Sequence, residues 1–125
     1  MKQDWKPGTM IYPLPAVLVS CGKEESEYNM FTVAWTGTIC TNPPMCYISV
    51  RPERHSYPVL KKNMEFVINL TTRELAYATD WCGVNSGKDH HKFEEMGLCL
   101  RQPVAKNGTI LRFHQALPCP AVYPS

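Results

Sequence analysis

The apolar positions of this chain fall into short runs separated by proline, glycine and charged residues. Pro15 to Cys21, Pro-Ala-Val-Leu-Val-Ser-Cys, is a continuous apolar run closed by Gly22, and it predicts a buried strand. Lys23 to Tyr28 is a charged connection. Phe31 to Thr38 is rich in β-branched and aromatic residues and predicts the next strand, with a turn at Thr41 to Pro44 and a third strand over Met45 to Val50. Ser56 to Asn63 predicts a short helix with Ser56 as its cap, Pro58 in its first turn and Leu60 turned inward. Glu65 to Leu70 returns as a strand. A helix is expected from Thr72 through Thr79, a turn-rich loop over CGVNSGK, and a helix over Lys88 to Met96 that Gly97 stops. Thr109 to Phe113 has the character of one further strand.

Strands that follow one another with only short helices between them predict a mainly β or α+β domain. With 125 residues, 44% hydrophobic and 19% charged, the chain is material for a single domain spanning residues 1–125. A net charge of +2, without a Lys/Arg block, is too small to argue for nucleic acid, and no nucleic-acid partner is expected. No apolar run is long enough for a membrane span, and MKQDWKPGTM lacks the apolar core of a secretory signal, so the expectation is a cytoplasmic protein without a membrane partner. In that setting Cys21, Cys40, Cys46, Cys82, Cys99 and Cys119 read as free, structural thiols. Cys82, His90, His91 and Cys99 lack the close paired spacing of a zinc site, so no metal ligand is assigned. No Gly-x-Gly-x-x-Gly follows a strand, and no triphosphate-binding loop is present.

The candidate chemistry sits after the Met45 to Val50 strand. Arg51 and Arg54 flank a proline, with Ser56 close behind, and two guanidiniums can converge on one anion through fork-shaped, charge-assisted hydrogen bonds. On the residues alone, a solvated turn explains the same loop. Likewise Val33 and Trp35 fit simple alternation onto a core face, and Ser86, Gly87 and Lys88 fit a helix-entry turn.

Two longer stretches, TVAWTGTICTNPPMCYISVRPERHSYPVLKKNMEFVINLTT and ATDWCGVNSGKDHHKFEEMGL, resemble the flavin reductase-like family of FMN-binding split barrels, most of all its flavoredoxin branch. The resemblance covers Pro15 to Leu98 (residues 15–98). It implies non-covalently bound FMN, an antiparallel Greek-key split β-barrel with short helices, and a homodimer with the flavin near the subunit interface. It places Asn29, Thr32, Val33, Ala34, Trp35 and Thr36 along the isoalloxazine and ribityl region. Ser49, Val50, Arg51, Arg54 and Ser56 fall around the phosphate, with Ser86, Gly87 and Lys88 as a second donor set. Trp81, in the Asp80-Trp81-Cys82 motif, would cover the flavin or sit in the dimer interface. The implied activity is electron transfer with a protein or small-molecule partner, or flavin reduction by NADH or NADPH; no catalytic residue is assigned. Residues 99–125 depart from the family pattern and read as a divergent tail that leaves the barrel incomplete. A non-enzymatic module for another phosphorylated ligand, or an inactive truncated relative, are the alternatives.

Overall fold

A computed structural model of the chain describes residues 1–99 and 113–115. Strands β1 (Val17–Cys21), β2 (Asn29–Val33), β5 (Val67–Leu70) and β6 (Phe113–Gln115) form one sheet in the order β2-β1-β5-β6. Strands β3 (Thr36–Cys40) and β4 (Met45–Ile48) form a separate antiparallel ribbon. Helices α1 (Ser56–Asn63), α2 (Ala76–Val84) and α3 (Lys92–Glu95) complete the set of regular elements among the described residues, with single 3-10 turns at Glu25–Glu27 and Arg73–Leu75. The fold is mainly β, and its pairings are antiparallel except β5 with β6, which run parallel. Among the described residues the two sheets do not close into a barrel.

The continuous apolar character of β1 follows from its position. It pairs with β2 on one side and β5 on the other, and all five of its residues are buried. Val17 and Val19 face one way, packing with Val33 and Ile68 and with the partly buried Phe31, Cys46, Ile48 and Phe66. Leu18 faces the other way, against Met30 and Cys82 and the partly buried Trp81, Phe93, Met96 and Leu98. The ribbon therefore covers one face of the sheet while α2 and α3 cover the other. Each fully buried aliphatic side chain here stabilises the fold by roughly 1.5–3 kcal/mol.

Several boundaries differ from the sequence expectation. The predicted strand over Phe31 to Thr38 is two strands, because the chain passes from the sheet to the ribbon at Ala34 and Trp35, where the Ser49 N–H donates to the Trp35 carbonyl at 2.9 Å. The helix expected to end at Thr79 continues to Val84, into the segment read as a loop, and the last helix is only Lys92–Glu95. α1 has the expected bounds, but Ser56 makes no capping bond and is the helix's first residue instead. The expected strand over Thr109 to Phe113 lies outside the described residues apart from Phe113, which opens β6.

Two local devices shape the β1–β2 connection, and the second ties it to α1. Gly22 has φ +111°, a conformation L side chains rarely adopt, and a Cβ there would lie 2.7 Å from the Glu27 carbonyl oxygen. Glu27 accepts from the Lys62 ammonium and, at 3.1 Å, from the Asn63 amide at the end of α1. These donors hold its carboxyl at about 2, below the ordinary 4.5. The depressed value means that Glu27 contributes stability fully above pH 4.5 and loses it as pH falls towards 2. Urea unfolding of the wild type should therefore show an acid-dependent loss across that window that is flattened in Glu27→Gln; identical pH profiles would show that the contact contributes nothing.

Candidate functional site

β2 is an edge of the sheet among the described residues, and the ends of α1 and α2 meet beside it. Between them lies a cleft of about 100 Å³, lined by Asn29, Phe31 and Thr32 of β2, by Arg54, His55 and Ser56 at the start of α1, by residues 82–87, and by Lys92. The turn into α1 is tightly wound: the Arg54 N–H donates to the Arg51 carbonyl at 3.1 Å, and the Tyr57 N–H to the Arg54 carbonyl at 2.9 Å. Across the cleft, the Ser86 hydroxyl accepts from the Lys88 N–H at 3.2 Å, which shapes the second wall.

Lys92 is the residue that sequence reasoning missed. It is 3% exposed, and its ammonium donates to the Cys82 carbonyl at 2.8 Å. That carbonyl lies in the last turn of α2, where helix carbonyls lack intrahelical partners and the dipole favours a cation. Burial lowers the Lys92 pKa; the nearby Arg54 guanidinium lowers it further, while the Cys82 and Cys21 thiols act the opposite way. Two positive side chains of the same cleft thus repel one another, one of them out of water, an arrangement relieved by an anion. In sequence Lys92 sits in DHHKFEEM, a charged string that reads as solvated surface, so only tertiary packing reveals it.

The other expected residues divide as follows. Asn29, Thr32, Arg54, Ser56 and Ser86 line the cleft with Gly87, whereas Arg51 and Lys88 are exposed and do not. Ser49 is exposed and Val50 half-buried at the end of the ribbon. Val33 belongs to the core around Val17 and Ile68. Ala34 is half-buried, and Trp35 is 51% exposed rather than alternating onto the core face. Thr36 spends its hydroxyl on the Tyr47 carbonyl at 2.6 Å. Trp81 packs in the cluster around Leu18 and meets His90 edge-on at 5.1 Å between ring centroids.

A second, larger cavity of about 430 Å³ adjoins the first and shares Thr32, Gly83 and Val84 with it; Ala16, Thr71, Thr72, Ala76, Thr79 and Asp80 complete its lining. Three of its wall threonines spend their hydroxyls on backbone carbonyls: Thr71 donates to the Ala16 carbonyl, Thr79 to the Leu75 carbonyl and Thr32 to the Thr79 carbonyl. No described helix is long and apolar enough to cross a membrane.

This fold, with a cationic cleft at the edge of a mainly antiparallel sheet, is that of a flavin reductase-like split barrel, and comparison with known proteins agrees. The family described as Flavin reductase like domain matches residues 9–116, beyond Pro15 and Leu98 at both ends, and the chain belongs to that family. Among solved structures, flavoredoxin of Desulfovibrio vulgaris (Miyazaki F) superposes with a TM-score of 0.72 at 30% identity, over 79% of this chain and 54% of that one. An FMN-binding protein from Thermus thermophilus, solved with 1-cyclohex-2-enone, gives 0.67 at 21% identity over 82% and 57%, which supports the fold. An uncharacterised protein of Pyrococcus abyssi is 28% identical over 91 residues, 73% of this chain and 51% of its own length. The chain spans about half the length of the curated relatives it matches.

The cysteines near the cleft are poor nucleophiles. Burial pushes the Cys21 thiol up to about 11 against a partly compensating Ser56 hydrogen bond, and burial raises Cys82 despite Lys92. Cys40 and Cys46, on the ribbon, are only half-buried. Not every cysteine is free as expected: Cys99 is disulfide-bonded, and Cys119 lies outside the described residues. Alkylation at pH 8 followed by peptide mass spectrometry should label Cys40 and Cys46 in the native protein and Cys21 and Cys82 only after unfolding. Early labelling of Cys21 would contradict its burial.

Proposed function

We propose that this chain binds FMN without a covalent bond, its phosphate in the cleft between β2, α1 and the Ser86-Gly87 turn, and serves as a flavoprotein in electron transfer. The observation that carries this reading is the pairing of Arg54 with the buried Lys92 in one small cleft. A desolvated ammonium beside a guanidinium fits a dianion, and the start of α1 adds the positive end of a helix dipole. Neutral apolar ligands would gain nothing from that charge. At about 100 Å³ the cleft is smaller than the roughly 300 Å³ at which ligand pockets begin, so it suits the phosphate end of the cofactor and leaves the ring outside. Flavoredoxin and the FMN-binding protein among the structural neighbours support the choice of FMN.

Bound FMN would supply the redox chemistry, and the protein's part is placement and electrostatics. Arg54 and Lys92 would hold the phosphate, and Thr32 stands where the cleft meets the larger cavity. The electron partner is a protein or a small molecule. Reduction by NADH or NADPH is the second activity carried by the family resemblance. The reading includes a homodimer, since Trp35, Ile39, Met45 and Tyr47 leave apolar surface exposed on and beside the ribbon.

Purified protein mixed with FMN and passed through a desalting column should remain yellow. Anaerobic NADH or NADPH would bleach it if the chain is a reductase and leave it oxidised if it needs a protein donor; a colourless protein would overturn the FMN reading. Arg54→Ala should weaken FMN by about tenfold to a hundredfold, the loss of one hydrogen bond to a charged group. Arg51→Ala, outside the cleft lining, should cost distinctly less. Equal effects of the two substitutions in a fluorescence titration would contradict this placement of the phosphate.

A further inference from the structure

The cleft has a floor that is more tightly constrained than its charged rim. Asn29 and Ser56 are 5% and 2% exposed, and the Asn29 Nδ2–H donates to Ser56 Oγ at 2.7 Å across 27 residues of sequence. Asn29 stands opposite Cys21 in the β1–β2 pairing, and the Ser56 hydroxyl also hydrogen-bonds the Cys21 side chain. The Ser56 oxygen therefore accepts from Asn29, and the same hydroxyl also meets the Cys21 thiol. Two of that hydroxyl's hydrogen-bonding positions are thus occupied inside the protein.

Gly87 closes the same point from the other wall. A Cβ on Gly87 would fall nearest to Oδ1 of Asn29 and lie 2.6 Å from both its Cγ and Nδ2, far inside van der Waals contact. Backbone therefore sits directly against the amide, at a distance that no side chain on residue 87 permits. One buried carboxamide thus touches both the first residue of α1 and the Ser86-Gly87 turn.

We propose that Asn29 is a positioning residue for the phosphate end of the cofactor, holding the start of α1 and the Ser86-Gly87 turn at a fixed separation, and is not itself a flavin-ring ligand. Ser56 belongs to the same support, its side chain serving the floor instead of the ligand. This rests on the reading that the cleft receives the phosphate of FMN. Arg54 and Lys92 supply attraction, and Asn29 fixes the gap across which they act. The amide suits this task because it combines a directed donor with a flat face, whereas alanine has neither and leaves the Ser56 oxygen without its donor.

The test compares FMN with riboflavin, the same flavin without a phosphate, by fluorescence titration of the wild type, Asn29→Ala and Gly87→Ala. Loss of the spacer should reduce the preference for FMN over riboflavin by about tenfold or more while riboflavin affinity stays within about twofold of the wild type. A ring contact by Asn29 would weaken both flavins together, and that result overturns the proposal. So does an unchanged preference in both variants. If Asn29→Ala fails to fold, Gly87→Ala tests the same contact from the opposite wall: its Cβ forces the Asn29 amide and the turn apart and should reduce the FMN preference in the same way. A wild type that binds FMN no better than riboflavin removes the phosphate reading and the inference with it; a wild-type preference that survives both substitutions removes the inference alone.

Discussion

Everything in this structure is arranged around a five-residue strand that has no solvated face. β1 is hydrogen-bonded on both edges and buried at every position from Val17 to Cys21. A strand in that state needs cover above and below, and the chain supplies two different covers, the β3–β4 ribbon on the Val17 and Val19 side and the α2 and α3 helices on the Leu18 side. The crossing from β2 to the ribbon at Ala34 and Trp35 leads to Ser49 and the loop before α1. The helical cover brings the end of α2 to β2 from the opposite side. The cleft is where the two covers meet at the sheet's edge.

That origin explains its electrostatics. The last carbonyls of α2 need donors, and Lys92 provides one at Cys82 by going under the surface. A buried ammonium with one carbonyl partner is costly, and Arg54 nearby adds to the cost. An anion in the cleft would offset both. Stability and binding are thereby coupled: the side chain that completes a helix end also charges the candidate site.

Much of the framework was legible in the sequence because its causes are local. The continuous apolar run ending at Gly22 gave the central strand, and the bounds of α1 followed from Ser56, Pro58 and the end of the run at Asn63. The junction at Ala34 and Trp35 was hidden, since an unbroken β-branched and aromatic run carries no mark of a change of sheet. Thr32, Arg54 and Ser86 could be placed near one site from the family resemblance. Lys92 could not, because burial of a lysine inside a charged string is a tertiary fact. Asn29 was visible as a candidate, but its partners Ser56 and Gly87 lie far along the chain, and the kind of work it does emerged only from their packing.

The central claim is that the Arg54 and Lys92 cleft recognises the phosphate of a flavin. A side-by-side fluorescence titration of the wild-type protein with FMN and with riboflavin at low salt tests it most directly. Two charge-assisted contacts to the phosphate should make FMN tighter by about a hundredfold or more, with the advantage shrinking as salt rises. Equal affinities for the two flavins would contradict the claim.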